Sequence, residues 1–319
     1  MNELVSVIIP TYKRNEHLKK AIESVLKQTY QNIEIIVVDD NNPDTRFRKN
    51  NEKLMECYLT NSKVKYIKHE KNKNGAAARN TGINVANGKY IGFLDDDDEF
   101  LPTKIEKQVY ILEKENKYNC VSCQIFRNDR VEKQNINEKN LLEDILSLKV
   151  SPITSTLLFR KEALLKLNGF NELYRRHQDV EIMVRYLQSN KLAYIQEPLI
   201  IMGINNGENQ LNGKALKEMK ENFLKEFMPI IEELDNKKKG CKKKIICSHY
   251  VGMTINFLKN REIRLTNEMI KKAMKEYPLT YLKMLIISVA ERIIIHIKWR
   301  KNGKDKEKFE WNVISILYI

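Results

Sequence analysis

The first hundred residues alternate between short apolar runs and stretches whose apolar residues recur at helical spacing. Residues 5–12 form a continuous apolar run ended by Pro10, as expected of a strand buried on both faces of a parallel sheet. Leu18, Ala21, Ile22, Val25 and Leu26 then recur three and four apart and predict an amphipathic helix. Residues 33–40 form a second buried strand ending in acids, followed by the turn residues of NNPD. A polar helix with a thin apolar stripe is expected over 46–59, and a third, shorter strand over 64–70. Residues 74–88 read as a small-residue helix between glycines, and 90–94 as a fourth buried strand. Strands alternating with helices in this way predict βαβ units and a parallel sheet.

Beyond Pro102 the pattern loosens. Ile105, Val109 and Leu112 mark a helix, and residues 120–126 and, more strongly, 154–161 read as strands. A short helix over 163–167 is closed by Asn168 and Gly169. Ile182, Val184 and Leu187 place an apolar stripe on a helix over 180–188. A last strand is expected over 193–202, with Pro198 putting it at an edge. Residues 204–213 form an Asn- and Gly-rich loop. From Lys214 the chain is helical, basic and poor in Gly and Pro. It carries a lysine cluster (Lys237, Lys238, Lys239, Lys242, Lys243, Lys244) and an apolar stripe (Leu282, Leu285, Ile286, Val289, Ile293, Ile297) that reads first as helix-bundle core.

Composition narrows the partners. The 319 residues are 42% hydrophobic and 31% charged, which suits one large domain plus an appendage. A net charge of +14 favours anionic partners: nucleotides, nucleic acid or an anionic membrane face. The five cysteines are scattered, and Cys120 and Cys123 resemble half a zinc site without a second pair, so they read as buried thiols in a reducing compartment. The opening MNELVSVIIP has no basic segment and too short an apolar run for a signal peptide, so none is expected. No run of about 18 apolar residues occurs, so no membrane span is expected.

The chemistry concentrates where strands end. The fourth strand delivers Asp95, Asp96, Asp97 and Asp98 into a loop. Adjacent carboxylates repel, and a hard divalent cation can relieve them, using one or two carboxylates beside phosphate oxygens. In a parallel sheet the ends at Pro10-Thr11-Tyr12, at Asp39-Asp40 and at Asp95 to Asp98 open on one edge, where such sheets bind ligands. That edge would carry an aromatic ring to stack on a base, a carboxylate to accept from base or ribose, and a metal-ready cluster for a diphosphate. Taken singly, Tyr12 is also readable as a core-edge aromatic and Asp39-Asp40 as turn formers. No G-x-G-x-x-G follows the first strand, which argues against a dinucleotide dehydrogenase. Residues 82–89 look superficially like a P-loop, but the spacing is one residue too long and Tyr90 stands where Ser or Thr belongs.

VSVIIPTYKR, the helix ending Leu26-Lys27-Gln28-Thr29-Tyr30, VVDDNNPD, NGAAARNTG, ANGKYIGFLDDDDEFLP and Gly169-Phe170-Asn171-Glu172 follow one another in the order and spacing of the family 2 glycosyltransferases. The chain resembles that family over about residues 4–205. The resemblance implies a GT-A fold, an α/β Rossmann-like arrangement with a mostly parallel central sheet flanked by helices. Its nucleotide-binding half would span 1–100 and its acceptor half 101–213, with 214–319 as a basic helical extension. It also implies that Pro10, Thr11, Tyr12, Arg14, Asp40, Arg79, Asp95 and Asp96 bind the nucleotide, and that Asp97 ligates Mn²⁺ or Mg²⁺. Asp179 aligns with the catalytic base, and Gln178 and Glu181 with groups around the acceptor; Gln178 stands where the family usually has Glu. One base in line with the leaving group implies inversion, giving a β-linked product from an α-linked donor. The loop 205–213 is the expected lid, with Asn205, Asn206 and Asn209 where the family often has a His.

The leading expectation is therefore an inverting, metal-dependent transferase. It would move sugar from a UDP-sugar to a saccharide or lipid-linked acceptor in cell-surface polysaccharide synthesis. A lipid-linked acceptor favours a cytoplasmic protein held peripherally on the inner, anionic face of the membrane. A sugar-phosphate nucleotidyltransferase would want a Gly-rich loop after the first strand, and PTYKRNEH lacks it. A non-catalytic anion or nucleic-acid binder is disfavoured because the acids sit where phosphate would approach, and no basic-aromatic RNA motif appears.

Overall fold

The computed structural model describes residues 3–128, 130–134, 136–203 and 211–301. Its first half follows the hydrophobic pattern closely. The elements are β1 (Val5–Thr11), α1 (Asn15–Leu26), β2 (Ile33–Asp39), α2 (Arg46–Glu56), β3 (Val64–Lys68), α3 (Gly75–Val85) and β4 (Tyr90–Phe93). β3, β2, β1 and β4 lie side by side, all parallel, with Ile8 opposite Ile36 on one side and Phe93 on the other. Every residue of β2 and β4 is buried, as continuous apolar strands covered on both faces should be. Leu18, Ala21, Ile22 and Val25 of α1 join Val7, Ile9, Ile35 and Val37 in one core cluster. α3 covers the opposite face, and its small residues allow a close approach. A Cβ at Gly82 would lie 2.5 Å from Ile8 Cγ2.

The chain continues through β5 (Glu99–Phe100), α4 (Lys104–Lys114), β6 (Tyr118–Arg127), β7 (Arg130–Glu132), α5 (Leu141–Leu146), β8 (Leu158–Arg160), α6 (Lys161–Lys166), α7 (Gln178–Leu187) and β9 (Lys191–Ile201). The sheet runs β3-β2-β1-β4-β8-β6-β9-β5, with β7 paired to β6. The run 154–161 is not one strand. Thr154–Thr156 form a 3-10 turn, and β8 is three residues long. Thr156 Oγ1 donates to the Ile153 carbonyl at 2.7 Å, a local side-chain bond that competes with a strand ladder. β9 is penultimate rather than terminal, but β5 covers it at two positions alone, opposite Ile200 and Ile201. Pro198 sits opposite Gln124, between two register irregularities, where a missing N–H costs little.

The chain divides into two compact units, one from residues up to 139 together with 151–206, the other from 140–150 and the chain from 207 onward. The second unit holds α5 and four helices, α8 (Gly213–Lys237), α9 (Cys241–Lys259), α10 (Ile263–Glu276) and α11 (Pro278–Lys301). Part of the lysine cluster is paired rather than merely solvated. Lys237 bonds Glu233 and Lys242 bonds Glu232 at 2.6 Å each, and Lys238 and Lys244 both bond Glu143. Burial alone would raise the Glu143 pKa, yet hydrogen bonds from the two lysines outweigh it and hold the carboxyl at about 2. Four cysteines are buried thiols, whereas Cys57 is exposed. Most of the apolar stripe of α11 is not bundle core: Leu282, Ile286, Val289 and Ile293 are exposed, and Leu285 is half-buried. The side chain of Ile297 is outside the described residues, as is the lid segment 204–210 with Asn205, Asn206 and Asn209.

Candidate active site

The ends of β1, β2 and β4 meet at one place. The Asp40 N–H donates to the Thr11 carbonyl at 3.0 Å, joining the ends of β2 and β1. Thr11 Oγ1 donates to Asp96 at 2.7 Å, and the Tyr12 N–H reaches the same oxygen at 3.4 Å, joining β1 to the acidic loop. Tyr12 is 41% exposed beside these bonds, with the Lys13 ammonium 5.0 Å from its ring centre. Pro10 precedes them in β1, paired with Val38.

The four aspartates have separate environments. Asp96 is buried, and burial pushes its pKa up to about 7 against the hydrogen bond from Thr11. Asp98 is also buried and raised to about 7 by burial and by the Asp95 charge. Asp98 accepts from Ser155 Oγ at 2.6 Å and from the Gly203 N–H at 3.0 Å. It thereby ties the acidic loop to the turn before β8 and to the segment after β9. A Cβ at Gly203 would meet the Asp97 carbonyl oxygen at 2.2 Å, so this approach requires glycine. Asp97 pairs with Arg14. Asp95 accepts from Arg79 at 2.5 Å and is more than a third exposed.

Arg79 is the hinge of the arrangement. It projects from α3, whose N-terminus is capped by Asn74 Oδ1 accepting from the Ala76 and Ala77 N–H groups. One terminal nitrogen binds Asp95, and the other donates to Gln178 Oε1 at 2.7 Å, on the first turn of α7. Its guanidinium lies 5.5 Å from the centre of the Phe170 ring. The next residue, Asn80, exchanges bonds with the Phe170 backbone at 2.8 and 2.9 Å and donates to Glu172 at 2.9 Å. The NGAAARNTG and GFNE segments, some 90 residues apart, are thus one contact.

Asp179 follows Gln178 in α7. Burial raises its carboxyl to about 6, and the nearby positive Arg79 opposes that rise. A carboxylate in that range suits a general base near neutral pH. His177, just before the helix, adopts φ 56°, a left-handed conformation uncommon for a non-glycine residue. Arg176 is held below its ordinary pKa by burial and then by the Arg14 charge, while Asp179 pulls it back. Arg14, Arg79 and Arg176 therefore supply positive charge around Asp95, Asp97 and Asp179. The acidic run marked Asp98 in the sequence without its partners, and spacing alone offered no signal for Arg176 or Ser155.

Two expected site residues are engaged by the protein itself. Asp40 is buried and accepts four bonds: from His69 Nδ1 and the Lys73 N–H on one oxygen, and from Asn72 Nδ2 and the Asn74 N–H on the other. These occupy the usual acceptor capacity of a carboxylate. Glu181 is buried, and both its oxygens are held by Arg185 at 2.5 and 2.8 Å. Arg185 in turn donates to the carbonyls of Leu167 and Gly169, which fixes the turn before Phe170. Asp39 likewise belongs to the scaffold, bonded by Tyr66, Asn51 and Arg48.

Among the described residues no three His, Cys, Asp or Glu side chains converge to hold a metal on their own. A hard cation at Asp97 would share that carboxylate with Arg14 and would complete its ligands with phosphate oxygens, the usual habit of Mg²⁺ in nucleotide sites.

Known proteins share this architecture. The S. aureus TarS structure in complex with UDP-GlcNAc superimposes with a TM-score of 0.65 at 18% identity, over 85% of this chain and 81% of that one. The mannosyltransferase PcManGT from Pyrobaculum calidifontis, solved with GDP-Man and Mn²⁺, gives 0.56 at 16% identity, over 92% and 81%. Both establish the expected α/β GT-A fold. The Escherichia coli protein WfgD, a UDP-Glc:alpha-D-GlcNAc-diphosphoundecaprenol beta-1,3-glucosyltransferase, is 29% identical over 228 residues, 69% of this chain and 84% of its own length. The chain spans about a third of the length of two longer Rickettsia glycosyltransferases to which it is 34% identical. Residues 6–175 match glycosyl transferase family 2, and the chain belongs to that family.

Proposed function

We propose that this chain transfers a sugar from a UDP-sugar to a lipid-diphosphate-linked saccharide, with inversion at the anomeric carbon. The observation that carries this reading is the pair of hydrogen bonds that Arg79 donates, to Asp95 on the acidic loop and to Gln178 beside Asp179. One guanidinium sets the distance between a diphosphate-facing loop and a candidate base. The half-exposed Tyr12 ring offers a stacking face for the base, and Thr11 and Tyr12 fix the loop through Asp96. Asp40 acts on the nucleotide chiefly by holding residues 72–74 in place. A direct bond from uracil would require displacing the Asn72 amide. A Mn²⁺ or Mg²⁺ ion held by Asp97 and the donor phosphates would offset the charge that develops on the departing diphosphate.

The chain's own residues perform the remaining work. Asp179 accepts the proton of the acceptor hydroxyl as its oxygen bonds to the anomeric carbon. The bond from that carbon to the diphosphate oxygen breaks on the opposite side, and the leaving UDP takes the electron pair. Arg14 and Arg176, close to each other and to Asp97 and Asp179, would favour that negative charge. Gln178 holds Arg79 without adding a second negative charge beside Asp179, and Glu181 acts through Arg185 on the turn that carries Phe170. The UDP donor and the lipid-linked acceptor follow the substrates of WfgD. The full chain, mixed with a panel of UDP-sugars, Mn²⁺ and a short-chain lipid-diphosphate saccharide, should release UDP only when donor, acceptor and cation are all present. UDP-sugar turnover that ignores the acceptor and survives a chelator would overturn the proposal.

A further inference from the structure

α11 is built inside out for a soluble bundle. It packs against α9 and α10, but the side chains it buries there include Tyr281 and Ser288. Tyr281 Oη lies 3.0 Å from Thr254 Oγ1 on α9, a polar contact in the packed face. Most of the large aliphatic residues point the other way, while Leu285 is half-buried. Leu279, Ile286 and Ile293 recur at seven-residue spacing and are 83%, 67% and 54% exposed. Leu282 and Val289 flank that line on one side, and Ile287 and Ile294 on the other, all exposed. At 3.6 residues per turn these seven side chains cover an arc of roughly 160°. Between Leu279 and Ile294, Lys283 is the charged residue within the arc. A contiguous apolar surface of this kind marks an interaction site rather than ordinary exposure.

We infer that this face of α11 docks the protein onto an anionic lipid bilayer, with the helix lying in the interface. The inference rests on the proposed lipid-linked acceptor for the place of the reaction, but its own support is the helix. No helix of the described residues is long and apolar enough to cross a membrane, so the face suits a helix lying on one. Charge selects the occupant. Within Pro278–Lys301 the sequence holds five basic residues, Lys283, Arg292, Lys298, Arg300 and Lys301, against the single acid Glu291. Phosphate headgroups complement that balance. A second copy of this chain, paired through the same face, would instead bring two strongly basic helices together.

The test is flotation of the full chain with phosphatidylcholine vesicles, with and without phosphatidylglycerol, alongside its sedimentation behaviour in the absence of lipid. Wild type should float with the anionic vesicles, weakly with the neutral ones, and less as salt rises. Ile286→Asp combined with Ile293→Asp should weaken vesicle binding at least tenfold. Because both positions are exposed, the variant should keep the wild-type melting temperature and its UDP-sugar turnover on a water-soluble acceptor. Lys283→Glu should give a smaller loss confined to anionic vesicles. Wild-type protein that stays unbound, or a variant that changes a dimer into a monomer while vesicle binding persists, would overturn the inference. Loss of turnover in wild type with vesicle binding intact would remove the proposed function and leave the docking face standing.

Discussion

Two helices of this chain, α3 and α11, put opposite materials at their exposed sides. α3 is made of small residues that let it close on the sheet, and its polar side chains leave few groups unused. Asn74 caps it, Thr81 bonds His69 at 2.9 Å, Asn80 holds Phe170 and Glu172, and Arg79 joins Asp95 to Gln178. α11 buries tyrosine and serine and exposes isoleucine and leucine. The first helix spends its polarity inside the fold to fix a site. The second keeps its apolar surface for something outside it. A helix whose polar groups are mutually committed tolerates little change, while one with an uncovered apolar face loses little stability when that face is made polar.

The sharpest break of this comparison is at the base. Asp179→Asn should lower sugar transfer about 1,000-fold or more while UDP affinity stays within a few-fold, because the amide cannot accept the proton. A transfer assay paired with UDP calorimetry reads both. The same substitution should raise stability at pH 8 by about 1–3 kcal/mol, since it removes a charge whose burial is unfavourable. The sign follows from the raised pKa: what Asp179 adds to stability is present below its ordinary value and lost as pH rises through about 6. Next in size, Gly82→Ala should destabilise the fold by about 1–3 kcal/mol, through the clash of the new methyl with the buried Ile8, measured by chemical denaturation. The smallest effect is on pH. Because Asp179 must be ionised to act, kcat/KM should rise as pH passes through about 6 and level off above it; a profile flat from pH 5 to 8 would remove Asp179 from that role.

Much of α3's surroundings was legible before any coordinates. Buried parallel strands announce themselves as unbroken apolar runs, so β1, β2 and β4 could be read directly, and with them the shared edge of Thr11, Asp40 and Asp96. What spacing cannot show is which side chain satisfies which. Asp98 and Ser155 lie 57 positions apart, and Arg79 and Gln178 lie 99 apart; nothing local marks either pair. Asp40 and Glu181 look alike as candidate ligands in a sequence, and the bonds they accept from Asn72, Lys73 and Arg185 are long-range or depend on helix phase. α11 shows the complementary gap. Its period reveals a stripe, but the pattern is the same whether neighbouring helices cover that stripe or leave it bare. Residues 154–161 show a third, because a β-branched run with hydroxyls can bond its own backbone as readily as a neighbouring strand.

The account turns on Arg79 serving both halves of the site at once, and its removal is the most direct test. In Arg79→Ala, UDP affinity by calorimetry and sugar transfer to the lipid-linked acceptor should fall together, transfer by about 100-fold, and Arg79→Lys should recover little because one ammonium cannot reproduce a two-armed bond. An Arg79→Ala protein that folds, binds UDP and transfers sugar as wild type does would contradict the central claim.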